Sequence, residues 1–344
     1  MTSSGCEREL VLTADFDLEG TVRPLSSGFG DPTKRASEGR WLWATRTLAG
    51  PATLCAEQLS ARRLRLRGFG PGGPAVLAAA PAALGLHRSP PSEATLSPGV
   101  RRLAHAARGL RLPRLPGWIE PLTLLILQQK VSGKEAARAH RELVRAVSQP
   151  APGPRDLASG LWLPPSADTL RDLPSWVCAP LGIPPRQGET LRRVGFHAAR
   201  IEALRLGPLE EAARRLRSVP GLGPWTVSSL LLAAGGGGDW VPIGDLHLPA
   251  QVAYTLAGEE RADDARMLEL LAPDRGHRGW LVRWIQAAGR TPPRRHPRRP
   301  LRPLAEGRGA ALGALQRDFG RRSQGPRSAR PAAAGPAPGR RREP

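Results

Sequence analysis

The run Leu216–Pro249, LRSVPGLGPWTVSSLLLAAGGGGDWVPIGDLHLP, restricts the fold more than any other part of the chain. A helical pattern enters it and breaks at Val219-Pro220-Gly221-Leu222-Gly223. Pro224 then suits the first position of a new helix, where its missing N–H is unpaired in any case. The two helices must therefore turn sharply upon each other. Gly221 and Gly223 permit positive φ and leave backbone N–H groups uncovered, and Leu222 between them pins the turn to a core. The uncovered amides stand at a helix N-terminus, where the dipole favours an anion. Such a hairpin can hold a nucleic-acid phosphate without reading sequence, the other reading being a tight connection with no ligand.

Asp245 follows Gly223 in an otherwise apolar segment, Val241-Pro242-Ile243-Gly244-Asp245-Leu246-His247-Leu248-Pro249. A carboxylate there reads either as the cap of the helix that Pro249 begins or as a fixed anion able to stabilise developing positive charge.

The rest of the chain sorts into three regions. Leu10–Val22 alternates in part, and Trp41–Thr47, Ala52–Leu59 and Leu64–Gly68 follow as strands, with turn signals at Ser26–Pro32 and Gly50–Pro51. These predict a small antiparallel sheet within residues 1–75. Residues 76–289 are mostly α, weakly so to 115. Helices are expected at Pro121–Leu127, Lys134–Val147, Leu170–Cys178, Glu189–Leu204, Leu209–Val219, Trp225–Ala234, Pro249–Ala257, Ala265–Leu271 and His277–Ala288. Residues 290–344 are rich in Pro, Arg, Ala and Gly, cannot offset chain entropy by burial, and read as a disordered basic tail with a short helix at most around Gly309–Phe319. The expected fold class is α+β, an N-terminal antiparallel sheet followed by an all-α core.

Composition narrows the function. Lys+Arg reaches 51 against 30 acids, a net +21, and only Lys34, Lys130 and Lys134 are lysines. From Arg290 onward fifteen arginines face three acids, a net +12, so residues 1–289 carry the remaining +9. Both parts would attract a polyanion. Part of this excess, beside so much Ala, Gly and Pro, has the look of GC-rich codon bias. No apolar run is long enough to span a membrane, no signal peptide is apparent, and Cys6, Cys55 and Cys178 are too few and too scattered for a disulfide framework or a zinc knuckle. A cytoplasmic protein is expected.

Three blocks carry a family resemblance: PGLGPWT…VPIGDLHLP with RMLELLAPDRGHRGWLVRWIQAAG after it, ILQQKVSGKEAARAHREL (Ile126–Leu143), and PLSSGFGDPTKR…WLWATRTLAGPATL (Pro24–Leu54). Together they resemble the helix–hairpin–helix DNA glycosylases, more closely the 3-methyladenine DNA glycosylase II branch and its bacterial members, over roughly residues 20–289. The resemblance implies an enzyme that binds duplex DNA, flips a damaged nucleotide into a pocket and hydrolyses its N-glycosidic bond, opening base excision repair near the nucleoid. It makes Asp245 catalytic, places Gly221, Gly223 and Thr226 on phosphate, and puts Trp225, Gln129 and Lys130 at the base pocket or duplex gap, with His247 in support. Trp280 and Trp284 are further candidates for a pocket wall. His277 and Arg278 read as capping the last helix or meeting phosphate.

Departures from the family also inform. Bifunctional members have a lysine at the position of Trp225 that attacks the sugar. Here all three lysines lie upstream of the hairpin, which predicts a monofunctional enzyme acting through water. The cysteines all precede the hairpin, so no iron–sulfur loop is expected, nor any metal or other cofactor. The resemblance allows a monovalent cation at the hairpin. Where the family often carries an apolar wedge, this chain has Lys130, which can fill space with its stem or contact phosphate but cannot intercalate as leucine does. Gly235–Gly238 reads as a permissive link that would loosen the placement of Asp245. The expected partner is duplex DNA containing alkylated bases, met by a monomer with no membrane contact. The alternatives are a non-catalytic helix–hairpin–helix DNA-binding protein, or a glycosylase for another lesion class.

Overall fold

Alternation in the first seventy residues produces one sheet with two chemically distinct faces. The computed structural model describes residues 5–28, 30–293 and Gly313. Strands β1 (Cys6–Val11), β2 (Lys34–Ser37), β3 (Arg40–Thr47), β4 (Gly50–Ser60) and β5 (Arg63–Phe69) are antiparallel in the order β1-β5-β4-β3-β2. Trp41, Trp43, Leu54, Ala56, Leu64 and Leu66 point into the core. On the outer face the register sets Arg40 opposite Glu57, Glu57 opposite Arg65 and Arg65 opposite Glu9. Ion pairs run along this row, so these arginines meet carboxylates of the sheet itself. The middle of the outer face is covered too: Leu42, Cys55 and Phe69 pack with Leu157 and Leu161.

The strand expected over Leu10–Val22 stops at Val11. Helix α1 (Leu18–Val22) takes the rest, because the Asp17 side chain accepts the Gly20 N–H at 2.9 Å as a cap and because Leu18 and Val22, four apart, both reach the core. Strand β2 was not anticipated. Three of its four residues are exposed and offer no apolar pattern.

The helical part comprises α2 (Gly73–Ala83), α3 (Pro98–Ala106), α4 (Ile119–Leu127), α5 (Gly133–Val147), α6 (Arg155–Ala158), α7 (Ala167–Arg171), α8 (Ser175–Cys178), α9 (Pro185–Phe196), α10 (Ala198–Leu204), α11 (Leu209–Arg217), α12 (Pro224–Ala233), α13 (Leu248–Ala257), α14 (Asp264–Leu271) and α15 (Arg278–Ala288). The single helix expected over Leu170–Cys178 is two, α7 and α8, since Pro174 cannot supply the N–H that would continue the first. That expected over Glu189–Leu204 is broken at His197 into α9 and α10.

Two apolar clusters organise these elements. The larger joins the sheet's inner face to α2, α4, α5 and α7 to α12. The smaller gathers Val100, Leu232, Val252, Met267, Leu271, Trp280, Leu281 and Ile285 from α3 and α12 to α15. Helix α12 contributes to both, and Trp240 packs on both. The connection from α12 to α13, which carries Asp245, therefore crosses the seam between them. Of the expected tail, only residues 290–293 and Gly313 fall among the described residues; Arg290 is anchored there, its guanidinium 4.7 Å from the Tyr254 ring centre and its N–H on Thr255 Oγ1 at 3.1 Å.

Candidate active site at the hairpin

Gly221 makes the turn between α11 and α12. Its φ is +98°, and a Cβ there would lie 2.2 Å from Thr190 Oγ1 on α9, so conformation and space both require glycine. Gly223, which as a glycine could also take positive φ, has φ −77° and stands in open space. Only the first of the pair shapes the turn; the second leaves the head of α12 uncovered. Leu222 is buried, as a pin requires. The Val227 N–H closes onto Gly223 O at 3.1 Å, and the amides preceding it in the first turn have no helical partner. Thr226 is buried, with its hydroxyl turned toward Gln129 and not to the outer surface.

Asp245 is held on both oxygens. Oδ1 accepts the N–H groups of His247 and Leu248, each at 2.9 Å, at the start of α13. Oδ2 accepts Trp225 Nε1–H, also at 2.9 Å. The carboxylate caps one helix and is bonded to the residue next to the N-terminus of another, and with three donors on its two oxygens it keeps acceptor capacity for a substrate or water. The preceding Gly244 N–H donates to Asp264 Oδ2 at 2.8 Å. Sequence reading passed over Asp264; its one visible signal is the Asp263-Asp264 pair at the start of α14. His247 is exposed beside the carboxylate, as is Leu246.

Gln129 and Lys130 lie in the turn between α4 and α5. Gln129 Nε2 donates to Gly221 O and to Thr226 Oγ1, both at 2.9 Å. Its backbone oxygen accepts from Gln187 Nε2 at 2.8 Å. Lys130 is exposed, at φ +56°. The structure thus forms two bonded sets, Gln129 with Gly221 and Thr226, and Trp225 with Asp245, joined by the peptide between Trp225 and Thr226 at the head of α12.

Other expected residues are elsewhere. Trp280 and Trp284 are 1% and 2% exposed, pack on each other with ring centres 5.9 Å apart, and belong to the smaller core. Arg278 is engaged by Asp239, with Nε at 2.8 Å from Oδ1 and a second contact on Oδ2, while Asp239 also accepts the Arg278 and Gly276 N–H groups. Burial pushes the Asp239 carboxyl up, but these bonds leave it below its ordinary value. Asp239 thus caps the start of α15 and holds the Arg278 guanidinium. Gly235–Gly238 is not a loose link either: all four residues are buried, and a Cβ on Gly237 would lie 2.3 Å from the Trp240 ring and 2.8 Å from Leu231 O.

No family model and no curated protein matches the chain by sequence. Solved structures do match. The 3-methyladenine DNA glycosylase of Archaeoglobus fulgidus superposes with a TM-score of 0.67 at 19% identity, over 81% of this chain and 97% of that one. The 8-oxoguanine glycosylase/lyase of Clostridium acetobutylicum, without DNA, gives 0.61 at 11% identity, over 83% and 98%. The fold is that of the helix–hairpin–helix DNA glycosylases. The same Clostridium enzyme, bound to duplex DNA with cytosine opposite 8-oxoguanine, gives 0.60. Likeness of fold thus extends to both lesion classes, and only side chains can separate them. Within the glycosylase fold this chain has Trp225, not lysine, directly after the hairpin.

Proposed function

We propose that the protein is a monofunctional DNA glycosylase that removes alkylated bases of the 3-methyladenine type from duplex DNA by hydrolysis. The observation that carries this reading is the Asp245 carboxylate, fixed on both oxygens beside a hairpin whose helix head is uncovered. The hairpin amides and the α12 dipole hold a backbone phosphate, and the damaged nucleotide turns out of the stack. An alkylated purine carries positive charge and leaves readily, so cationic character develops on the sugar. Asp245 stabilises that cation and orients the attacking water.

Two features favour this lesion class. No lysine in the sequence lies at or beyond the hairpin, so attack on the sugar falls to water. With Trp280 and Trp284 in the core, Trp225 is the tryptophan bonded to Asp245, and a lesion that supplies its own leaving-group charge makes the least demand on a stacking pocket. The reading needs no cofactor, and a single chain acting on cytoplasmic DNA suffices.

The test is incubation of the protein with methylated duplex DNA, identifying the released bases, with Asp245→Asn in parallel. Release of 3-methyladenine or 7-methylguanine by the parent alone is expected, with duplex binding by the variant nearly intact and no borohydride-trapped complex. Equal loss of binding and excision would remove Asp245 from catalysis. A trapped complex would make the enzyme a lyase. Binding without release from methylated DNA would redirect the assay to oxidised or deaminated bases.

A further inference from the structure

The resemblance puts Gln129 at the base pocket or duplex gap; in the structure its side-chain amide is bonded to the hairpin. Both amide protons are used, on Gly221 O and on Thr226 Oγ1, across 92 and 97 residues of sequence. From behind, Gln187, 4% exposed on α9, donates to Gln129 O at 2.8 Å and to Leu127 O at 3.4 Å. Thr190, about one turn further along α9, is the residue against which Gly221 packs. Helix α9 thus supports the α4–α5 turn and the hairpin together, and Gln129 ties the two to each other. Lys130 next to it projects into solvent from a left-handed backbone, a conformation that a side-chain-bearing residue holds at a cost.

We infer that Gln129 is a positioning residue, a strut that makes the α4–α5 turn and the phosphate-holding hairpin one unit and so keeps Trp225, and through it Asp245, in register. Lys130 alone is then presented to the duplex. The inference deepens the glycosylase reading and rests on it for its kinetic consequence. Its chemistry is specific. Gly221 O can only accept, so the strut needs a donor, and glutamate, equal in size to glutamine, would set oxygen against oxygen. A side chain that merely filled a gap would carry no such requirement toward the hairpin.

The experiment compares Gln129→Glu, the volume-keeping Gln129→Met, Thr226→Val and the Gln129→Met/Thr226→Val double variant. It reads the single-turnover excision rate at saturating enzyme, affinity for undamaged duplex, and, in the free protein, hydrogen exchange of the bonded hairpin amides, Leu222 on Val219 O and Val227 on Gly223 O. Each Gln129 variant should slow excision by about tenfold, the scale of one or two lost hydrogen bonds, and the loss should persist at saturating enzyme, where any change in duplex affinity no longer counts. Hairpin amides should exchange faster in the same variants, and Thr226→Val should add less on the Gln129→Met background than alone. Parental rate and exchange in Gln129→Glu, or full additivity in the double variant, would overturn the strut. So would weaker lesion binding with unchanged saturated rate and exchange, the behaviour of a gap filler. Exchange in the free protein needs no excision. A parent that releases no base therefore defeats the glycosylase reading, and the exchange cycle still decides the strut.

Discussion

Replacing Trp225 with phenylalanine separates two roles that the position could fill. The indole lies beside the candidate catalytic carboxylate and donates Nε1–H to Asp245 Oδ2 at 2.9 Å. Phenylalanine keeps an aromatic ring but has no donor. Asp245 would retain the His247 and Leu248 amides on Oδ1 and lose its only described contact on Oδ2, leaving the group free to rotate about its remaining anchor. A hydrogen bond to a charged acceptor contributes about 1.5–3 kcal/mol, and the low end applies to a partly exposed group with two other donors. If about 1.5 kcal/mol falls wholly on the transition state, the single-turnover rate drops by roughly tenfold. Stacking predicts a different pattern. It contributes about 1–3 kcal/mol per base and survives largely in phenylalanine but not in leucine. Rates at saturating enzyme and affinities for the methylated duplex, measured for both variants, distinguish the cases. A slower Trp225→Phe with parental affinity marks the indole as a positioning group. A Trp225→Phe enzyme at full rate would refute the argument, and an affinity loss confined to Trp225→Leu would assign the residue to a pocket wall alone.

Two further outcomes follow from the geometry. Gly223 has an ordinary φ and open space around it, so Gly223→Asp should fold as the parent does while placing an anion where a phosphate is expected. Duplex affinity at low salt should fall by about five- to tenfold, with the deficit shrinking as salt screens it, and unchanged affinity would remove the hairpin from the DNA interface. The second concerns His140, buried on α5 against Ser27, Asp31, Lys34 and Glu120. Burial pulls its pKa below the ordinary value of 6.5, outweighing the Asp31 carboxylate that pushes it up. The unfolded chain therefore binds this proton first, so stability is full above about pH 6.5 and declines as the pH falls below it. The urea midpoint should drop more between pH 7.5 and 5.5 in the parent than in His140→Gln, and equal drops would show that His140 does not titrate on unfolding. Asp31 responds at lower pH: burial opposes its ionisation, but His140, Lys34 and the Ser27 and Thr33 amides hold it well below the usual carboxylate range.

The sheet and most helices were legible because their patterns are local. β3 and β4 are short apolar runs bounded by turn signals and β5 alternates, while α5 shows apolar residues at helical spacing, Ala137, Leu143, Val144 and Val147. What escaped was set by neighbours. Leu18–Val22 is helical because Asp17 turns the chain into a cap, although the alternation leading up to it reads as strand. β2 pairs with β3 through backbone groups and leaves three exposed side chains, so no apolar signal exists to find. The breaks at Pro174 and His197 divide helices whose apolar spacing runs on past them.

At the candidate site, residue identities were legible and their bonds were not. Asp245 stood out as a carboxylate among apolar neighbours, with capping and catalysis weighed as rivals. The geometry does not set them against each other: Oδ1 accepts the amides at the start of α13, while Oδ2 is held by Trp225 Nε1–H. The glycine run before it reads as slack in the sequence, because glycine is most often chosen for backbone freedom. Here Gly236 does take a positive φ of +70°, but at Gly237 and Gly238 it is the missing side chain that counts. Gly279 at the start of α15 comes so near that a Cβ on it would lie 2.5 Å from Gly237 O, and the Gly279 N–H bonds Gly238 O at 2.9 Å. A segment held this closely to α15 gives the Asp245 loop a rigid base, and rigidity is what a carboxylate needs if it is to stabilise charge that exists only in the transition state.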